Sequence, residues 1–157
     1  MTPDEVAAML AGCRKVQLAT INPDGMPHLV TMYYTLIGGK IAFWTYRTSQ
    51  KALNLARDPR ISCLVETGDQ YFDLKGVQIQ GVVETIEDPA AVQDIGRGIT
   101  EVMGTAVTGT AITGTDTAGE AADALRDYVS RAARKRFGYI VEPRRVISWD
   151  HSKLLPG

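Results

Sequence analysis

The sequence predicts a mainly β fold, an antiparallel β-barrel of six or seven strands, closed or partly closed, with peripheral helices. About seven segments are rich in β-branched and aromatic residues, and short turns join several of them as hairpins. Gly76 and Gly81 lie inside one such segment, where glycines are typical of bulges, barrel bends or close approach by a ligand. Helices do not alternate regularly with the strands, as they do around a parallel sheet. The 157 residues fit one domain spanning residues 1–157.

The first helix is predicted from capping signals at the start of the chain. Thr2 can act as the N-cap, Pro3 suits the first helical position, and Glu5 completes a capping box. Gly12 is expected to end this helix.

The next three strands are predicted to form an antiparallel meander. Residues 22–25 have proline second and glycine fourth, as a type I turn prefers. Gly38 and Gly39 form a two-glycine hairpin signal. These turns separate strands at residues 16–21, 27–37 and 40–46.

Further strands and helices make up the rest of the chain. A short helix is predicted over residues 48–57, and another begins at Asp88. An amphipathic helix is predicted over residues 121–136, with Leu125, Tyr128, Val129 and Ala132 facing inward. The remaining strands are predicted at residues 60–66, 71–86, 137–141 and 145–150, the second of them broken near residues 75–76. The last two lie on either side of a turn at 142–144.

Residues 104–115 form a Thr/Gly/Ala-rich segment that is predicted to be a loop. Two interpretations stay open from the sequence. The segment could be a lid over a site, or it could be a surface insertion that the fold tolerates.

Composition and charge argue against several classes of function. A net charge of −1 lacks the broad basic surface of a nucleic-acid-binding protein. Two cysteines without a CxxC pair, and two histidines, do not form a zinc-like cluster, so no metal is expected. No apolar run approaches the ~20 residues of a membrane helix. The first residues also lack a signal peptide, which predicts a cytoplasmic protein with no membrane partner.

No motif identifies a catalytic residue. Nucleophile elbows, phosphate-binding P-loops and dinucleotide GxGxxG patterns are absent from the sequence. His28 and His151 could each act as an acid or a base, but an isolated histidine more often has a structural role. The catalytic residues are therefore unassigned.

The segment 44–60 is a candidate phosphate site. It leaves a predicted strand, turns through small hydroxyl residues and begins a helix, with cations at Arg47, Lys51, Arg57 and Arg60. The N-terminus of a helix carries unpaired N–H groups and partial positive charge, which favour a bound phosphate. The alternative is an ordinary strand-to-helix junction with Thr48 or Ser49 as the N-cap. A phosphate site without evident catalytic side chains fits an enzyme whose cofactor performs the chemistry.

Several motifs together resemble the pyridoxamine 5′-phosphate oxidase-like, FMN-binding split β-barrel superfamily over nearly the whole chain. The motifs that carry this resemblance lie at residues 24–28, 44–51, 58–62 and 143–149. Residues 51–55 and 149–154 are most similar to its deazaflavin (coenzyme F420)-dependent branch. The implied fold is a six- to seven-stranded antiparallel split β-barrel.

The resemblance also implies a homodimer with two cofactor sites at the subunit interface. Gln50 and Lys51 match the phosphate-binding pair, although relatives commonly have arginine where Gln50 stands. Asn54 and Arg57 are candidate contacts for the acidic tail of the deazaflavin. The strand positions that match cofactor-binding positions are Val30, Thr31, Met32, Tyr33, Trp44 and Thr45, the last two beside the ribityl chain and phosphate.

Four more residues are assigned to the site by the resemblance. Gly76 and Val77 fall near the ring system of the cofactor. Trp149 matches a tryptophan that reaches the cofactor of the partner subunit, and Lys153 lies near a family arginine.

The expected function is a deazaflavin (F420)-dependent oxidoreductase that moves a hydride to or from a small conjugated substrate. Two alternatives remain, an FMN-dependent oxidoreductase of the same fold and a non-catalytic flavin- or haem-binding protein. Oxidation of vitamin B6 is not expected, because residues 150–154 lack the Arg-x-His pair that pyridoxamine-phosphate oxidases carry.

Overall fold

The computed structural model describes residues 1–107 and 117–154, which fold into one curled antiparallel sheet with helices around it. Its strands are β1 (Lys15–Ile21), β2 (Pro27–Tyr33), β3 (Thr35–Ile37), β4 (Lys40–Tyr46), β5 (Arg60–Thr67), β6 (Lys75–Ile86) and β7 (Arg136–Asp150). Its helices are α1 (Pro3–Gly12), α2 (Gln50–Arg57), α3 (Pro89–Val107) and α4 (Thr117–Ala133), with short 3₁₀ turns at Tyr71–Asp73 and His151–Leu154. The strand order is β2-β1-β5-β6-β7-β4-β3. The predicted mainly β fold class is confirmed.

Local signals set several element boundaries as expected. Thr2 and Glu5 form the predicted capping box of α1. Ser49 is the N-cap of α2, and its side chain accepts a hydrogen bond from the backbone N–H of Ala52. Gly38 and Gly39 both have positive φ, at 57° and 78°, as the tight hairpin between β3 and β4 requires.

The predicted strand over residues 27–37 is two strands, so the predicted meander is wrong. β2 pairs with β1, whereas β3 pairs with β4 at the other end of the sheet. The break falls at Tyr34, which is buried and whose hydroxyl donates to the carbonyl oxygen of Leu10 over 2.6 Å. Because only one residue separates the two edge strands, the sheet must curl to bring its edges together.

The predicted turn at 142–144 is also wrong, because β7 runs without interruption through these residues. Its pairing with β6 shifts register between Gln80 and Gly81, so Arg144 is the extra residue of a β-bulge. Pro143 pairs with Gly81 at this irregularity, where a missing backbone N–H is tolerated. A Cβ atom on Gly81 would overlap the carbonyl oxygen of Glu142.

We expect Gly81→Ala to lower the free energy of unfolding by about 1–3 kcal/mol, since the added methyl group meets backbone rather than a side chain that can turn away. Urea unfolding measures this change. Gly12→Ala is the matched control, because a Cβ atom on Gly12 has no neighbour within 4 Å. Equal stabilities of the two variants would contradict the close contact at the bulge.

Two hydrophobic cores lie on opposite sides of β4. Phe43 and Ile41 point into the interior of the curled sheet, where they meet Leu18 and Tyr139. Trp44 and Ala42 point outward into a second core beneath α3 and α4. The outer core is completed by Val92, Ile95, Ile99, Val129, Ala132 and Ala133. β4 is therefore held on both faces, which fixes the orientation of Trp44.

The helical region differs from the sequence prediction in two ways. α3 continues to Val107, so residues 104–107 are helical rather than loop, and the rest of the Thr/Gly/Ala-rich segment lies outside the described residues. α4 spans Thr117–Ala133, and it buries Val129 while Leu125 and Tyr128 remain 41% and 49% exposed. The inward orientation predicted for Leu125 and Tyr128 is wrong, because α4 docks through a stripe of smaller side chains. None of the helices in the described residues is both long and apolar enough to cross a membrane.

Candidate functional site

A cleft of about 350 Å³ opens where the ends of β2 and β4 face each other beneath α3 and α4. It is lined by Thr31, Met32, Tyr33, Trp44, Thr45, Tyr46, Lys51, Ile99, Met103, Tyr128 and Arg136. Six of these were expected from the sequence, namely Thr31, Met32, Tyr33, Trp44, Thr45 and Lys51. The fold thus brings together the strand positions and the lysine at the start of α2.

The floor of the cleft is held rigidly by its neighbours. The Trp44 indole is packed against Gly96 of α3 so closely that a Cβ atom at Gly96 would overlap the ring. The hydroxyl groups of Thr45 and Ser49 are hydrogen-bonded over 3.1 Å, which ties the end of β4 to the N-cap of α2. The aromatic wall and the start of the helix therefore keep a fixed spacing.

Lys51 is a cation that has no counter-ion among the residues that the structure describes. Its side chain is half-buried, and burial lowers the pKa of its ammonium group below the usual value for a lysine. It forms no hydrogen bond or ion pair with any residue that the structure describes. A partly desolvated cation is stabilised by a bound anion, and the hydroxyl groups of Thr31 and Thr45 line the same cleft. The cleft therefore has the chemistry of an anion site with aromatic walls.

Arg136 was not expected in the site. The sequence indicates a basic helix end at residues 131–136, but Arg136 lies in β7, directly opposite Tyr46 of β4. Its guanidinium group lies 3.9 Å from the ring centroid of Tyr46 and 4.9 Å from that of Trp44. This proximity results from the pairing of β4 with β7, and no local feature of the sequence predicts that pairing. Ile99 and Met103 belong to the apolar stripe of α3, whose docking position the sequence does not specify.

A basic groove of about 430 Å³ continues from the cleft. The two share Tyr46, Tyr128 and Arg136. The groove is lined by Tyr46, Tyr128, Arg131, Ala132, Arg134, Lys135 and Arg136. Its four cationic residues create a path of positive potential that leads away from Lys51.

Gln50, Asn54 and Arg57 make hydrogen bonds within α2 or to residues 20–22. Gln50 donates to the side-chain oxygen of Asn54 over 2.9 Å. Asn54 is fully buried and donates to the side chains of Thr20 and Asn22, each over 3.0 Å. The Arg57 guanidinium donates to the carbonyl oxygen of Ile21. None of the three lines the cleft around Lys51.

The remaining predicted residues lie elsewhere in the fold. Val30 packs against the inner core, and Val77 is buried within it. Gly76 pairs with Trp149, and the absence of a side chain at Gly76 makes room for the indole ring. Lys153 forms an ion pair with Glu5 over 2.7 Å.

The two histidines lie outside the cleft. His28 pairs with Thr20 across β1 and β2, and the His151 Nδ1 atom lies 2.8 Å from the carbonyl oxygen of Tyr71. Within residues 1–107 and 117–154, no group of three or more histidine, cysteine, aspartate or glutamate side chains is arranged to hold a metal ion.

Comparisons with known proteins show the family to which this chain belongs. Residues 2–152 match the pyridoxamine 5′-phosphate oxidase family. The chain is 41% identical to the conserved hypothetical protein Rv2991 from Mycobacterium tuberculosis, with a TM-score of 0.82 and coverage of 100% of this chain and 90% of that chain. No match was found among curated proteins.

Two more distant structures are similar in fold. HutZ, the heme storage protein from Vibrio cholerae, is 16% identical, with a TM-score of 0.65 and coverage of 92% of each chain. An F420 reductase is 19% identical, with a TM-score of 0.60 and coverage of 89% of this chain and 94% of that chain. At these identities the similarity shows a common fold alone.

Proposed function

The chain belongs to the pyridoxamine 5′-phosphate oxidase family, and from that premise we propose that it is an oxidoreductase that uses the deazaflavin coenzyme F420. The cofactor would lie in the cleft around Lys51, and its substrate would be a small conjugated molecule. When bound, the deazaflavin ring would supply a centre that accepts or donates a hydride. The protein's part would be to bind the cofactor, orient its ring and exclude water.

This proposal is carried by the ammonium group of Lys51, which has no partner within residues 1–107 and 117–154. Burial without a counter-ion is costly for a charged side chain, and a phosphate bound there would compensate for that cost. Thr45 would add a hydroxyl donor beside it. Tyr33 and Trp44 would supply the flat apolar surface that a ring system requires.

The distribution of positive charge favours F420 over FMN. The phosphomonoester of FMN carries a charge of about −1.5 to −2 at neutral pH, whereas F420 has a phosphodiester and an acidic tail. FMN has no group that would reach the basic groove, so the cations there favour the cofactor that carries further negative charge. The basic groove beyond Arg136 would receive the acidic tail, a role first expected of Asn54 and Arg57.

A titration of the purified protein with F420 and FMN, side by side, tests this proposal. We expect F420 to bind at micromolar concentration or below, with quenching of its fluorescence, and at least about tenfold more tightly than FMN, a difference of about 1.4 kcal/mol. Tighter binding of FMN would favour the FMN-dependent enzyme of the same fold. A protein that binds haem and neither flavin would be a haem carrier, and the enzyme hypothesis would then fail.

We also propose a homodimer formed through the outer face of β2, β1, β5, β6 and β7. Leu29, Ala19, Ser62, Gln80 and Arg145 are in register across these strands, and all are exposed or half-buried in the single chain. The neighbouring row begins with Thr31 of the cleft and ends at Ile147, two residues before Trp149. The resemblance places Trp149 and Lys153 of a second copy at the cofactor, and this face ends close to both residues.

Light scattering should give the mass of a dimer, and Leu29→Asp should shift it towards that of a monomer. Leu29 is 65% exposed in the single chain, so a charge there costs little unless a partner covers it. Leu53→Asp is the control, because Leu53 is 54% exposed on α2, away from this face. A monomeric wild-type protein at micromolar concentration would refute the proposed dimer.

A further inference from the structure

Arg136 is a second half-buried cation in the cleft that contains Lys51. Its planar group is packed over the rings of Tyr46 and Trp44, an arrangement that favours arginine over lysine. One of its nitrogens donates to the carbonyl oxygen of Ala132 over 3.0 Å. This packing holds the guanidinium group in one place at the boundary between the cleft and the basic groove.

The part of the chain that the structure describes uses little of the hydrogen-bonding capacity of Arg136. A guanidinium group has five N–H donors, and the bond to Ala132 uses one of them. Among the residues that the structure describes, no carboxylate forms an ion pair with Arg136. The same is true of Lys51, so two cations line one cleft without a counter-ion. Their mutual repulsion would be relieved by an anion placed between them.

We propose that Arg136 and Lys51 together bind the phosphate of the cofactor, with Arg136 supplying the second positive charge that Gln50 does not provide. This inference rests on the proposed function, and it assigns to β7 a contact that the sequence placed on α2. Arginine can present two parallel N–H donors to a phosphate, whereas Lys51 acts as a point charge. Because Arg136 also lines the groove, it would bind at the point where the phosphate continues into the acidic tail.

The test compares ligands that differ only in whether they carry phosphate. Wild-type protein, Arg136→Met and Arg136→Lys are titrated with F420 and with the phosphate-free deazaflavin alcohol. We expect Arg136→Met to weaken F420 binding about 10- to 100-fold, as loss of a charge-assisted hydrogen bond would. It should change the affinity for the phosphate-free compound by less than about threefold, and it should flatten the salt dependence of F420 binding. Arg136→Lys should recover part of the loss.

Arg131→Met is the matched control, because Arg131 lines the groove but not the cleft. It removes an exposed charge and should weaken F420 binding by less than about fivefold. Equal losses for F420 and the phosphate-free compound would overturn the proposal, since Arg136 would then act only through its packing on the aromatic rings. Unchanged F420 affinity in Arg136→Met would also overturn it. A wild-type protein that binds neither F420 nor FMN would instead refute the proposed function, and this inference with it.

Discussion

Replacing Lys51 with methionine should weaken F420 binding by about 1.5–3 kcal/mol, or roughly 10- to 150-fold, because a charge-assisted hydrogen bond to phosphate is lost. Methionine keeps nearly the length of the side chain but carries no charge. The cofactor-free protein should not be destabilised, since the substitution removes a partly buried cation that has no partner in the described residues. Fluorescence titration and urea unfolding measure the two effects separately.

The pH dependence of binding provides an independent measurement for the same substitution. Burial lowers the pKa of Lys51, so its charge is lost at a lower pH than that of an exposed lysine. Wild-type affinity for F420 should therefore fall as pH rises through the lowered pKa, and the Lys51→Met variant should lack this fall. At pH values between the lowered pKa and the usual lysine pKa, Lys51 is protonated in the unfolded chain but not in the folded one. The free energy of unfolding of the wild type should therefore rise with pH in this range, and that of the variant should not.

Lys135→Met is the control, because Lys135 is an exposed cation of the groove that does not line the cleft. Its removal should weaken F420 binding by less than about 1 kcal/mol. If Lys51→Met and Lys135→Met had equal effects, the specific contact at Lys51 would be refuted and only a diffuse attraction would remain.

The start of α2 could be predicted from the residues next to it in the sequence. The other side of the candidate site could not, because it depends on pairing between distant strands. Ser49 caps the helix, and Lys51 lies in the first turn, as the order of residues along the chain indicates. Nothing in that order shows that Arg136, from the far end of the chain, lies beside Tyr46. Such a contact depends on which strands become neighbours in the sheet, and that is decided by the whole core rather than by either segment.

The strand errors have a similar cause. The residues around Tyr34 have the composition of a continuous strand. The break coincides with the buried Tyr34 side chain, whose hydroxyl donates to the carbonyl oxygen of Leu10 in another element. A proline usually interrupts a strand. Pro143, however, lies opposite Gly81 at a bulge that needs no N–H donor from it. At both positions local propensity favoured a different structure, and tertiary contacts overrode it.

One face of β4 packs into the inner core and the other faces the cleft, so we expect a substitution on the inner face to change stability without changing cofactor binding. Phe43 on the inner face provides the test. Phe43 is fully buried in the inner core, and its ring is stacked on that of Tyr139, with 5.1 Å between the centroids. We expect Phe43→Ala to lower the free energy of unfolding by about 3–5 kcal/mol, through lost apolar burial and a residual cavity. Urea unfolding at one fixed protein concentration measures this, since association would otherwise shift the result. Leu53→Ala, at a site that is 54% exposed, should change stability by less than about 0.5 kcal/mol.

Cofactor binding should not distinguish Phe43→Ala from the wild type as long as the variant is folded. Phe43 points into the inner core, whereas its neighbour Trp44 points towards the cleft, so the substitution removes no atom from the proposed site. A ligand at 100 times its Kd stabilises the folded state by about 2.7 kcal/mol. That increment should be the same for both proteins. A smaller increment in the variant would show that loosening the inner core also displaces Trp44, and the two faces of β4 would then act as one unit.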